Sequence, residues 1–252
     1  MKKIWAIADL HLSFGVPNKG MEVFGEQWRD HPQKIEKAWR ESVAADDLVL
    51  IAGDVSWALR MEEALPDLEW IEKLPGTKVM IRGNHDLWWG SISKVRKVLS
   101  PSLHAIQHDV FRWNGIAIGG TRLWDSVEYD FEECIEYRET VIGNVNIKKG
   151  PTQEENERIF HRELLRLEMS LSQFRSGDNE RMMMVHYPPI GLNLEPSKVA
   201  ALLEKYGVSD CVFGHLHNVK PGQKLFGEAR GVRYWLTAAD YVNFHPVLIH
   251  TC

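Results

Sequence analysis

The sequence predicts an α/β fold for this 252-residue chain, on three observations. Short apolar runs of β-prone residues recur along the whole length, with segments of helical period between some of them. Hydrophobic residues make up 44% and charged residues 26%, a globular balance that excludes a disordered, collagen-like or coiled-coil chain. Five of the apolar runs end in Asp, Asn or His, at the edge where open α/β sheets collect ligands.

Strands are expected over residues 3–9, 47–53, 78–82, 115–120, 181–187, 210–214, 232–237 and 246–250. The stretch 13–29 carries Gly15, Pro17, Gly20 and Gly25 without periodicity; a loop of that length in a compact domain is usually functional or disordered, and its place directly after Asp9 and His11 favours a functional loop. Asp30 is placed to cap a helix running to about Ala45. Leu65 to Leu74 reads as helical past Pro66, and Ser91 opens a short helix towards Leu99. The clearest helix begins at Thr152, which forms a capping box with Glu155; Phe160, Leu164, Leu167, Leu171 and Phe174 then make one apolar stripe that ends at Gly177. Ser197 to Tyr206 is a shorter helix, stopped by Gly207 where left-handed backbone suits glycine. With no repeat, low-complexity tract or linker in view, a single domain over residues 1–252 is expected.

The formal charge of -5 comes without a basic stripe, so a duplex nucleic-acid partner has no electrostatic support. Cys134, Cys211 and Cys252 lie far apart, which leaves neither a disulfide framework nor a thiolate zinc cage and fits a reducing cytoplasm. Residues 1–8 imitate a secretory leader until Asp9 and His11 interrupt them. No apolar run reaches the roughly eighteen residues of a membrane span.

The polar strand ends carry the chemistry. Asp9 and His11 close the first run, and their two-residue spacing at a strand end puts both side chains on one face. Taken alone, Asp-x-His is a weak signal that chance supplies. Gly53-Asp54 and Gly83-Asn84-His85-Asp86 then follow the next two runs, each with a glycine that permits close backbone approach. His186 ends the run from Met182, and Gly214-His215-Leu216-His217 ends the run from Cys211. The donors are therefore Asp9, His11, Asp54, Asn84, His186, His215 and His217, an oxygen and nitrogen set that suits manganese, iron, zinc or nickel. One first-row ion takes about four to six ligands, so this set, with a carboxylate able to bridge, suggests two divalent ions, the apparatus for displacement at phosphorus.

These blocks, in this order over residues 9–217, resemble the calcineurin-like metallophosphoesterase superfamily. Its pattern is Asp-x-His, Gly-Asp, Gly-Asn-His-Asp/Glu, a lone His and Gly-His-x-His. The resemblance implies a four-layer α/β/β/α sandwich, two mixed β-sheets face to face with helices outside and the metals at their shared edge. It implies that Asp9, His11 and His217 hold one ion, that Asn84, His186 and His215 hold the other, and that Asp54 bridges them. A hydroxide between the ions would attack a phosphomonoester or phosphodiester, with manganese the expected ion in vitro. His85 would be catalytic, donating a proton to the leaving oxygen or a hydrogen bond to the phosphoryl group. Asp86 would orient His85 or stabilise its loop.

Two departures narrow the class. Trp57 stands where many members carry a second Asp that serves the catalytic histidine in protein phosphatases, which argues against a protein Ser/Thr phosphatase. The block Ala8 to Ser13 is similar to the UDP-diacylglucosamine hydrolases, but those usually have Arg in place of His85. A small phosphoester is the expected substrate, with a nuclease of the same superfamily and a catalytically silent scaffold as alternatives. Trp88 and Trp89 offer a stacking surface beside the metals, although packing of the following helix is the simpler role. Arg122 is a candidate guanidinium for a substrate phosphate, and Tyr187 and Asn193 neighbour His186.

Overall fold

The computed structural model describes residues 1–136 and 151–252. In chain order its strands are β1 (Lys3–Ile7), β2 (Leu48–Ile51), β3 (Thr77–Met80), β4 (Leu103–Ala105), β5 (Asp109–Trp113), β6 (Ile116–Gly120), β7 (Glu180–Met184), β8 (Asp210–Phe213), β9 (Glu228–Ala229), β10 (Val232–Leu236) and β11 (Val247–Thr251). They form one sheet of order β11-β1-β2-β3-β4 and another of order β5-β6-β7-β8-β10-β9. Within each, the central strands run parallel and the edge strands β11, β5 and β9 run antiparallel, so both sheets are mixed.

Period-two burial explains why the sheets stack. Ile4 and Ala6 of β1, Leu48 and Leu50 of β2, and Val79 of β3 meet Ile116 and Ile118 of β6, Met182 and Met184 of β7, and Val212 of β8 in one core between the sheets. The alternate residues Ile7, Val49, Ile51 and Met80 face the other way, onto helices α1 (His31–Ser42), α2 (Met61–Glu72) and α3 (Ile92–Val98). Met183, Cys211 and Phe213 likewise face α4 (Gln153–Leu171) and α5 (Lys198–Lys205). Three separate cores between successive layers are the signature of the α/β/β/α sandwich. At roughly 1.5–3 kcal/mol for each large apolar side chain taken fully out of water, the seam core alone is a major stabilising element.

Several local expectations change. Asp30 does not cap α1: it sits at φ 53° with no side-chain capping bond, and the helix starts on His31 with Pro32 in its first turn. α2 begins four residues before Leu65, because the Glu63 carboxylate accepts the N–H groups of Leu59 (2.9 Å) and Arg60 (3.2 Å). The capping box of α4 forms in both directions, Thr152 N–H to Glu155 Oε2 at 2.8 Å and Glu155 N–H to Thr152 Oγ1 at 3.2 Å. That helix ends at Leu171, six residues short of Gly177, and Phe174 reaches the core from the turn beyond. Gly207 does take left-handed backbone, at φ 66°, after α5. Among the described residues no helix is long and apolar enough to cross a membrane.

Candidate metal centre

Because the central strands of each sheet are parallel, their carboxyl ends lie at one edge, and stacking the sheets brings the two edges together. β1 and β2 lead into Asp9, His11 and Asp54, and β3 leads into Asn84 and His85. From the other sheet, β7 leads into His186 and β8 into His215 and His217. Four of these donors have left-handed backbone: Asp9 at φ 57°, His11 at 45°, Asp54 at 51° and His215 at 72°. Such conformations cost of order 1–3 kcal/mol each and cluster at functional sites. Here they are held by neighbouring loops, with Asp9 N–H on the Gly53 carbonyl (2.9 Å) and His11 N–H on the Asp54 carbonyl (3.0 Å).

Two groups of ligand atoms result. His217 Nε2 lies 3.5 Å and His11 Nε2 4.0 Å from Asp9 Oδ1, with the two nitrogens 3.2 Å apart. His186 Nε2 lies 3.4 Å from Asp54 Oδ2 and 2.7 Å from Asn84 Oδ1, and His215 Nδ1 is 3.0 Å from the same amide oxygen. Asp54 Oδ2 stands between the groups, 3.8 Å from His11 Nε2. All seven donors expected from the sequence are thus brought to one place.

The chemistry of the donors fits a cation. His186 Nδ1 is 3.0 Å from the Ala52 carbonyl and His217 Nδ1 2.8 Å from Asp240 Oδ1, so both rings spend their N–H outward and turn Nε2 lone pairs inward. An imidazole Nε2 facing carboxylate and amide oxygens is an arrangement that positive charge must satisfy, either a proton on the ring or a metal ion in its place. Without a metal ion a proton takes that role. Burial lowers the His186 pKa, but Asp54 and Asp9 overcome it and hold the imidazole up to about 9. Burial also lowers His217, yet Asp240 and Asp9 raise it well above its ordinary value.

Asp240 is a site residue that the sequence reading missed. It follows β10 through Thr237-Ala238-Ala239, a fourth acidic strand end without a neighbouring imidazole to flag it. Its Oδ2 accepts the Asn218 N–H (2.9 Å) while Oδ1 fixes the His217 ring. Replacing an outer partner of a metal-binding imidazole typically costs 10–100-fold in affinity. Asp240→Asn is therefore expected to weaken divalent-ion binding by about that factor, read by competition with a fluorescent chelator.

Two glycines are required by contact. A Cβ on Gly83 would collide with the Asp54 carboxylate, and one on Gly214 would collide with that of Asp9. The obstructing oxygens, Asp54 Oδ1 and Asp9 Oδ2, already accept the backbone N–H groups of His85 (2.8 Å) and His215 (3.0 Å), so neither carboxylate can step aside cheaply. Gly214→Ala is expected to lower the bound-metal stoichiometry measured by elemental analysis after dialysis, and an unchanged stoichiometry would contradict this packing.

The remaining candidates divide. His85 is half-buried at the rim, its backbone N–H on Asp54 Oδ1 (2.8 Å) and its ring 4.4 Å from that of Trp57. Trp57 also stacks on His11 at 4.9 Å and 21°, so it forms an apolar wall shared by both imidazoles. Burial lowers the His85 pKa. Asp86 is fully buried and accepts from Val55 N–H (2.9 Å), Ser56 N–H (3.1 Å), Gly83 N–H (2.8 Å) and Trp88 Nε1 (2.9 Å). Those bonds tie two ligand loops together; of its two expected roles, loop stabilisation is the one its contacts serve. Burial and the Asp54 charge push its pKa up to about 6.

Trp88 and Trp89 do not form a stacking surface. Both are buried in the core between the first sheet and its helices, with their indole N–H groups spent on Asp86 and on Gln107 (3.0 Å). Tyr187 is buried behind His215, ring centroids 4.1 Å apart, and Asn193 caps its own turn through the Glu195 N–H. Arg122 lies over Trp124 and beside Glu163 rather than among the ligands. The 13–29 loop does reach the site: Trp28 is buried edge-on to His11 and His217 at 5.8 and 5.7 Å.

Fold and site together define an α/β/β/α protein with a cation-seeking cluster at the seam of its sheets. The calcineurin-like phosphoesterase family model matches residues 2–219, and the chain belongs to that family. It is 34% identical over 88 residues to the gene 66 protein of Mycobacterium phage L5, and 33% identical over 86 residues to that of Mycobacterium phage D29. Each match covers 34% of this chain and 41% of the phage protein, so the shared segment is about two fifths of the length of these relatives. The solved phosphopantetheinyl hydrolase of Mycobacterium tuberculosis is similar in fold, with a TM-score of 0.55 at 15% identity over 100% of this chain and 96% of that one.

Proposed function

We propose that the protein is a phosphohydrolase working with two divalent transition-metal ions, manganese, iron, zinc or nickel, on a small phosphoester in the cytoplasm. The observation that carries this reading is the convergence of His, Asp and Asn donor atoms around Asp54 Oδ2, with a half-buried imidazole beside them. Asp9, His11 and His217 would hold one ion and Asn84, His186 and His215 the other, with Asp54 shared. When bound, two such ions would supply an activated water and positive charge for the phosphoryl oxygens. His85 supplies what they do not, a neutral donor for the phosphoryl group or leaving oxygen. Trp57 and Trp28 exclude bulk water from one side of the ligands, which strengthens the electrostatics within.

The test begins with protein stripped by chelator and reloaded with manganese, compared on bis(p-nitrophenyl) phosphate and p-nitrophenyl phosphate. Hydrolysis is expected to return only with metal, and the faster ester assigns diester or monoester preference. Full metal loading with neither ester cleaved would replace the enzyme reading with that of a silent scaffold.

A further inference from the structure

A second cavity of about 320 Å³ opens at the same edge of the sandwich, and none of the seven metal-type donors lines it. Its walls carry Arg82, Arg122, Arg162 and Arg166 around one carboxylate, Glu163. Arg82 follows β3 two residues before Asn84, and the Arg122 carbonyl accepts the N–H of His186 at 3.0 Å. Two of the chain segments that reach the metal centre therefore also build this cavity. α4 closes it from the far side.

The charges do not balance. Glu163 is 1% exposed, and its Oε1 is met by Arg166 at 2.6 Å, Arg162 at 3.3 Å and Arg122 at 3.7 Å. One carboxylate thus faces three guanidinium groups. Arg82 makes no ion pair or side-chain hydrogen bond among the described residues, and its buried Nε is left without a partner there. Thr121, 1% exposed, likewise has its buried Oγ1 unpartnered among the described residues. A structural ion pair for Glu163 needs one or two of these arginines and leaves Arg82 and Thr121 unexplained. An oxyanion accepts from guanidinium and hydroxyl donors together and suits the forked geometry of arginine.

We propose that this cavity is a phosphate-binding subsite that holds a second phosphate of the substrate while the scissile ester lies at the metal centre. The substrate class is then a small molecule bearing two phosphate groups. The anion site stands on the cavity alone; its place in catalysis rests on the phosphohydrolase reading.

Crystals of the manganese-loaded protein soaked in tungstate test the site, and an anomalous peak between Arg82 and Arg166 is expected. No peak there overturns the proposal. In kinetics, adenosine 3′,5′-bisphosphate is expected to exceed adenosine 5′-monophosphate in kcat/KM by about tenfold or more, the scale of a charged hydrogen bond. Arg82→Met and Arg162→Met are expected to remove that preference through KM, with unchanged melting temperatures showing that each is folded. A tungstate peak without the preference assigns the cavity to free phosphate and overturns the substrate role. A peak in a protein that cleaves no ester keeps the anion site and removes the phosphohydrolase reading instead.

Discussion

Asp54→Asn is expected to lower phosphoester hydrolysis at least a thousandfold, about 4 kcal/mol of transition-state stabilisation. The carboxylate is 1% exposed and touches both halves of the site, through Oδ2 to His186 and His11 and through Oδ1 to the His85 N–H. Burial alone would raise its pKa, but the imidazoles of His186, His11 and His85 pull it far below the carboxylate range, so it is an anion at any working pH. Asparagine keeps the shape and the bond from His85 but removes the charge that two cations would share. Rates compared at equal bound manganese, measured by elemental analysis, decide the matter. Full activity in Asp54→Asn at matched loading would sink the two-ion reading.

His85→Ala is expected to cost about 10²–10⁴ in kcat, the usual contribution of a positioned proton donor, while bound metal stays at the wild-type level. The separation of the two effects follows from placement. The His85 imidazole contacts Trp57 and lies 5.6 Å from the His11 ring, outside both groups of ligand atoms. Only its backbone N–H serves the ligand set, and alanine keeps that bond to Asp54. His85→Gln retains a side-chain donor and is expected to keep more activity than His85→Ala. Loss of metal in step with activity would make His85 a ligand support instead.

The convergence of the seven donors was legible because each donor block follows a strand buried on both faces, which reads as an unbroken apolar run even in a single sequence. The α/β character followed from the same runs. What escaped has physical reasons. β4, with three residues, and β9, with two, are too short to show a period, and β5 is half-buried throughout and carries charged Asp109 and Arg112. Asp240 lacks an imidazole or glycine beside it, so nothing in its neighbourhood distinguishes it from a surface acid. Trp88 and Trp89 were ambiguous because proximity to His85 in sequence does not say which side of the sheet receives an indole. The four arginines of the second cavity come from three distant segments, and only the fold gathers them.

The division of the donors between the sheets would couple cation binding to the stacking of the two halves. Four donors belong to loops of the first sheet and three to loops of the second, with Ile4, Leu50, Met182 and Met184 packed between. By linkage, each ion bound at a hundredfold excess over its dissociation constant would add about 2.7 kcal/mol to the free energy of unfolding. The reciprocal effect acts on the seam. A substitution such as Met184→Ala, remote in chemistry from any donor, is expected to loosen the spacing between the sheets and so to weaken ion binding. If the cluster is loaded in the cell, metal supply would set how much sequence drift this inter-sheet core tolerates.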